Sequence, residues 1–130
     1  MTDDEIRQKF AAMIEGADDC TRRALLRLLD VFIEVGAGLT FSNANDGSIS
    51  VASTAKGGPA FELWAKAGRR IKAPYADANL LQRMVDLFGQ PDQTTSASQN
   101  WPAFVPLNAL DERKISQFRQ LCETVVAPKN

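Results

Sequence analysis

The densest grouping of chemically versatile side chains in this 130-residue sequence runs from Trp64 to Tyr75, Trp-Ala-Lys-Ala-Gly-Arg-Arg-Ile-Lys-Ala-Pro-Tyr. Lys66, Arg69, Arg70 and Lys72 are residue types that contact phosphate, and Trp64 and Tyr75 are types on which unpaired bases stack. A hairpin over this stretch sets Trp64 near Lys66 and Lys72, which makes the six residues a candidate nucleic-acid-binding surface. The same composition also describes a solvated strand whose cations keep it from pairing with other chains. The rest of the chain is not basic: 15 Lys and Arg stand against 16 Asp and Glu, a net charge of -1. That balance gives no bulk attraction to nucleic acid or anionic lipid, so any polyanion contact has to be local.

Carboxylates offer a second chemistry. A magnesium-dependent hydrolase of the restriction-nuclease kind sets an acid on one strand and an acid-x-lysine on the next, so that metal and base converge on phosphate. Strand alternation puts Glu62, Trp64 and Lys66 on one face, but Glu62-Leu63-Trp64 has no lysine at its third position. Asp46 falls in a turn, Asp77 reads as a helix cap and Asp86 as an exposed helical residue. The sequence contains no histidine, which excludes a Ser-His-Asp triad, a Cys-His dyad, histidine ligation of a metal and an imidazole switch. Cys20 and Cys122 with carboxylates make a poor zinc set. Gly57-Gly58-Pro59 lacks the GxxxxGK[ST] context of a phosphate cradle and reads as a turn. No catalytic residue, metal site or cofactor is assigned.

These side chains act only where the elements carry them. Thr2-Asp3-Asp4-Glu5 is a capping box for a first helix with Ile6, Phe10, Met13 and Ile14 at helical spacing, and Gly16 offers a left-handed stop. Asp18 and Asp19 open a second helix, apolar around most of its circumference from Ala24 to Val35. Its polar residues Arg23, Arg27, Asp30 and Glu34 form one narrow stripe, read as a solvated face, so the helix should be central and packed on more than one side. Gly36 and Gly38 end it. The period then changes to two, with Leu39 and Phe41, Ile49 and Val51, Phe61, Leu63 and Ala65, and a strand at Arg70 to Ala73. Turns are expected at Asn45-Asp46-Gly47, at 56–59 and near Gly68. A third helix carries Leu80, Leu81, Met84, Val85 and Phe88, capped by Asp77 and stopped by Gly89. Residues 90–100 hold no large apolar side chain and read as an exposed loop. Trp101 to Val105 forms a returning strand, and a last helix from near Asn108 carries Leu110, Ile115, Phe118, Leu121, Cys122 and Val125 up to Pro128.

The predicted order is ααββββαβα: one α+β domain over residues 1–130, an antiparallel meander of four to five strands packed against helices. With 45% apolar residues the chain can bury a core without a metal or disulfide staple. Its longest apolar stretch, Leu25 to Leu39, is broken by Arg27, Asp30 and Glu34, so no membrane span is expected. The acidic Met1-Thr2-Asp3-Asp4-Glu5 is unlike a signal peptide. A cytoplasmic location follows as the expectation, with both cysteines reduced and half-buried. A redox pair would require the helices bearing them to bring Cys20 and Cys122 together.

Trp101-Pro-Ala-Phe-Val-Pro-Leu-Asn-Ala-Leu110, followed by a helix ending Val125-Val126, resembles the end of an uncharacterised bacterial domain. Phe61-Glu-Leu-Trp64, the turn at Gly68 and Ile71 ahead of a helix resemble its middle, so the likeness covers about residues 25–126. It implies an accessory domain of the kind that accompanies nuclease-like or effector modules, through structural rather than catalytic motifs. The helix at residues 3–15 departs from that pattern. The leading expectation is therefore a non-catalytic interaction domain that binds a protein partner or itself, with Trp64, Tyr75 and Trp101 as candidate anchors. A nucleic-acid-binding module on the Trp64–Tyr75 segment comes second, and a magnesium-dependent hydrolase resting on Glu62 third.

Overall fold

The Thr2 hydroxyl accepts from the Glu5 amide at 3.2 Å while Glu5 Oε1 accepts from the Thr2 amide at 3.2 Å. This reciprocal pair satisfies two amides that the first turn of a helix leaves open, and it starts α1 (Asp3–Met13). The computed structural model describes residues 2–42, 47–52, 59–65, 71–72, 78–90, 93–94, 102–104 and 110–127. Helix α1 buries Ile6 and Phe10. It does not end on a left-handed Gly16, since positive φ is found at Gly36, Gly47 and Gly89. Tight bonds from Glu15 N to Ala12 O and from Ala17 N to Ile14 O turn the chain instead.

Helix α2 (Asp19–Glu34) begins at Asp18, whose two carboxylate oxygens accept from the Thr21 amide and hydroxyl, each at 2.9 Å. The Thr21 amide bond, then the hydroxyl bond, hold the Asp18 carboxyl below its ordinary value. A carboxyl depressed in the folded state supports folding above its unfolded pKa of about 4. The support is lost as pH falls through the folded value. Along α2, Leu25, Leu28, Leu29, Val31 and Phe32 are completely buried. The helix packs against α1 on one side and α4 (Glu112–Val125) on the other, as its nearly continuous apolar surface requires.

Among the described residues six strands follow the change of period: β1 (Leu39–Phe41), β2 (Ser48–Ala52), β3 (Pro59–Trp64), β4 (Ile71–Lys72), β5 (Gln93–Thr94) and β6 (Pro102–Phe104), with α3 (Ala78–Phe88) between β4 and β5. Every pairing is antiparallel, in the spatial order β1-β2-β3-β4-β6-β5. The protein is thus α+β, four helices against an antiparallel sheet. Ile49, Val51, Phe61, Leu63, Ile71 and Phe104 lie in the buried core with residues of all four helices. Thr40, Ser50 and Glu62 alternate with these residues, and the backbone register continues their row through Lys72, Ala103 and Gln93.

A five-ring cluster ties the two layers. Phe118 of α4 has its ring centroid 5.7 Å from Phe32, 5.6 Å from Phe61 and 5.9 Å from Phe88, and Phe88 lies 6.2 Å from Phe104.

The sheet is not the expected meander of four to five strands: six strands are described, and β6 stands between β4 and β5. Residues 90–100 are not all loop: Gln93 and Thr94 form β5, paired to β6, which makes the order ααββββαββα. That pairing rests on main-chain bonds and leaves no trace in hydropathy. The last helix starts at Glu112, later than the expected start near Asn108, and is capped by Asp111, whose carboxylate accepts from the Lys114 amide at 2.8 Å. The expected turns at Asn45-Asp46, 56–58 and Gly68 and the Asp77 cap lie outside the described residues. Among the described residues no helix is long and apolar enough to cross a membrane.

Candidate functional site

Of the six residues singled out between Trp64 and Tyr75, the structure describes the side chain of one. Lys66, Arg69, Arg70 and Tyr75 lie outside the described residues, as does Trp101. Lys72 stands on β4 directly opposite Glu62 of β3. Trp64 closes β3 opposite Ser48, on the face that alternation gives it, but it is not exposed there. Only 7% of it is exposed, and its indole N–H donates to Glu62 Oε1 at 2.8 Å. Strand alternation explains the bond, since residues two apart share a face and lie side by side. Ser48, its cross-strand neighbour, is buried as well. A withdrawn ring with its polar edge engaged offers neither a free stacking face nor an anchor that a partner could bury.

The polar stripe of α2 is also not simply a solvated face. Asp30 receives two bonds from Arg7 of α1, Nε to Oδ1 at 2.7 Å and Nη2 to Oδ2 at 3.2 Å. Arg27 reaches Glu34 at 3.5 Å and Glu112 of α4 at 3.8 Å. Arg119 of α4 bonds the other oxygen of Glu34. The pairs 27–112 and 34–119 advance together along both helices, so α2 and α4 run parallel with an alternating row of charges along their seam. The stripe therefore fixes α2 to its neighbours on both sides, while Arg23 pairs locally with Asp19 at 2.9 Å.

That parallel alignment separates the two thiols. Cys122 lies level with the residues just past the end of α2, whereas Cys20 sits in its first turn. At a rise of 1.5 Å per residue they are about 25 Å apart along the seam, far beyond the Cα spacing that a disulfide allows. Both cysteines are free; Cys20 is exposed and Cys122 buried. Burial pushes the Cys122 thiol far above the ordinary thiol range. A thiol-specific maleimide at neutral pH is accordingly expected to modify one cysteine in the native protein and two in denaturant. Mass spectrometry of intact and digested protein checks this, and rapid native labelling of Cys122 would contradict it.

Two surface clefts accompany the helices. One, of about 360 Å³, is lined by Cys20, Arg23, Ala24, Arg27, Leu110 and Glu112. The other, of about 240 Å³, lies between α3 and α4 and is lined by Arg83, Asp86, Leu87, Gln117, Gln120 and Leu121. In the first, both guanidiniums are already matched with carboxylates, which leaves little attraction for an anion. Among the described residues no group of three acidic or cysteine side chains could hold a metal ion.

The feature with the most defined binding geometry is the main-chain edge of β1, which no side-chain pattern signals. The antiparallel ladder between β1 and β2 is framed by Ala52 N to Gly38 O at 3.0 Å and by Ser42 N to Ser48 O at 2.8 Å. Bonded pairs in such a ladder recur at every second residue, so Thr40 turns its main-chain groups toward Ser50. Leu39 and Phe41 therefore turn their N–H and C=O groups outward, and β1 is one of the two terminal strands among those described, β5 being the other. Their side chains pack partly buried against the core, while Thr40 is exposed on the opposite face. Residues 36–42, Gly-Ala-Gly-Leu-Thr-Phe-Ser, contain no charge and no proline, two of the devices that blunt an edge, and the strand itself is three residues long. The alternation of Leu39, Thr40 and Phe41 is visible in the sequence; the place of this strand at one end of the order of described strands is a property of the topology.

Comparison with known proteins adds nothing to this geometry: no family model, curated protein or solved structure matches the chain.

Proposed function

We propose that this chain is an interaction domain without catalytic activity of its own, and that it binds protein by adding a strand at the β1 edge. The observation that carries the reading is the pair of outward-facing main-chain positions, Leu39 and Phe41, on a terminal strand free of charge and proline. Strand addition draws affinity from main-chain bonds and specificity from alternate side chains, and β1 supplies both. Its inner side chains are half-buried leucine and phenylalanine, and its outer one is threonine.

Proline substitution tests it cleanly. The Phe41 amide faces away from β2, so Phe41→Pro removes a donor from the edge while the ladder to β2 persists. Phe41→Ala removes the same ring and keeps the donor. Fluorescence anisotropy with lysine-flanked five-residue peptides, alternating Thr with Val, Ile or Phe, should show binding to the Ala variant about tenfold tighter than to the Pro variant, the worth of one main-chain bond. Equal affinity for the two variants, or no peptide bound by the unsubstituted protein, would overturn the proposal.

A further inference from the structure

We infer that the strand added at this edge is β1 of a second copy, paired antiparallel about a two-fold axis through Thr40. The inference rests on the strand-addition reading and names its partner. A two-fold interface must be self-complementary, each contact being made twice in reverse. β1 meets that condition in one register: rotation about Thr40 sets Leu39 opposite the second copy's Phe41, Phe41 opposite its Leu39, and Thr40 opposite its Thr40. The outward-facing residues are 39 and 41, so both Leu–Phe pairs fall at doubly hydrogen-bonded positions and the Thr–Thr pair at the closer, non-bonded one. On the inner face the two Leu–Phe pairs would cover apolar surface that the monomer leaves partly exposed. On the outer face two threonines meet, a favourable cross-strand pair.

Charge favours a second copy as well. Asp, Glu, Lys and Arg make up 24% of the chain, yet residues 36–42 contain none. Two identical edges can therefore approach without self-repulsion, and a charged partner finds no counter-ion along the strand. The pairing also closes: once two β1 strands meet, this edge is used up and no fibre grows from it. A seam of three residues per copy is small, so the dimer is expected to be weak and to depend on concentration.

Sedimentation velocity from about 1 μM to 1 mM, a span that covers weak association, tests the inference together with Thr40→Lys and Thr40→Glu. Thr40 is exposed, and its main-chain bonds to β2 do not involve its side chain, so both variants keep the fold, as matched thermal melts would verify. Like charges directly opposite each other at the axis should weaken each homodimer at least about tenfold. An equimolar mixture of the two variants should recover association. A monomer throughout, homodimers of both variants as tight as the original, or no recovery on mixing would overturn the inference. If the protein stays monomeric but still binds strand peptides with the expected Ala–Pro difference, the second copy is the wrong partner and strand addition stands. A dimer indifferent both to charge at Thr40 and to Phe41→Pro would sink the two together.

Discussion

Leu29→Asp is expected to leave no cooperatively folded protein at 25 °C. Leu29 is completely buried in α2, the helix that touches α1 on one flank and α4 on the other. Removing the leucine side chain alone costs about 2–5 kcal/mol in transfer and cavity terms. The aspartate then enters a core whose neighbouring α2 positions, Leu25, Leu28 and Phe32, are fully buried. It must either stay charged without a partner or take up a proton far above its ordinary pKa, and either course costs several kcal/mol more. The sum rivals the whole stability of a typical domain, about 5–15 kcal/mol. Circular dichroism should show a broad, non-cooperative melt, whereas Leu29→Met, which nearly conserves volume, should lose less than about 1.5 kcal/mol. A sharp Leu29→Asp transition within a few degrees of the original would mean that this face of α2 is not where the core lies.

The case of Leu29 shows which parts of the molecule local sequence could reveal. Helical spacing in 24–35 named the buried side of α2, and the Thr2–Glu5 and Asp18 caps could be read because a cap is a contact between residues three apart. The alternation in 39–65 gave the inner face of β1 to β3 for the same reason: the information spans two residues. Interactions that join distant segments were not readable. The Asp30 partner lies 23 residues away on α1 and the Glu34 partner 85 residues away on α4, so a stripe that serves as a seam looked like a solvated face. Trp64 illustrates the same limit within a strand. Alternation set its side of the sheet correctly, opposite the buried Leu63, but the depth of burial on that side depends on neighbours that alternation does not name. β5 escaped notice because two polar residues can extend a sheet through the main chain alone. The proposed site belongs to this class. A strand with Leu39 and Phe41 was expected; its place at the end of the sheet, on which the strand-addition reading depends, emerges only once all six strands are ordered.

Phe118→Ala should be the most damaging truncation on α4. Its ring is completely buried and meets three others, on α2, β3 and α3, at centroid distances of 5.6–5.9 Å. Among the described residues no other ring in the cluster has as many aromatic partners: Phe32, Phe61 and Phe88 each have two. Burial accounts for most of the expected 3–5 kcal/mol, and edge-to-face contacts contribute part of it. For a 130-residue chain this corresponds to a fall in melting temperature of about 10–18 °C. Urea titration should show the midpoint shifting with an unchanged slope, which separates lost packing from a changed unfolded state. A loss below about 1 kcal/mol would mean that the helices close over the gap and that the rings do not seat α4. The substitution also separates fold from function. Phe118 lies in the core, whereas the proposed seam lies along the main-chain edge of β1 and on Thr40. Phe118→Leu, which keeps much of the volume, should therefore lower stability while leaving the association constant unchanged at temperatures where the variant is folded. A matching loss of both would argue that the interface is formed by the helical layer, and against strand addition at β1.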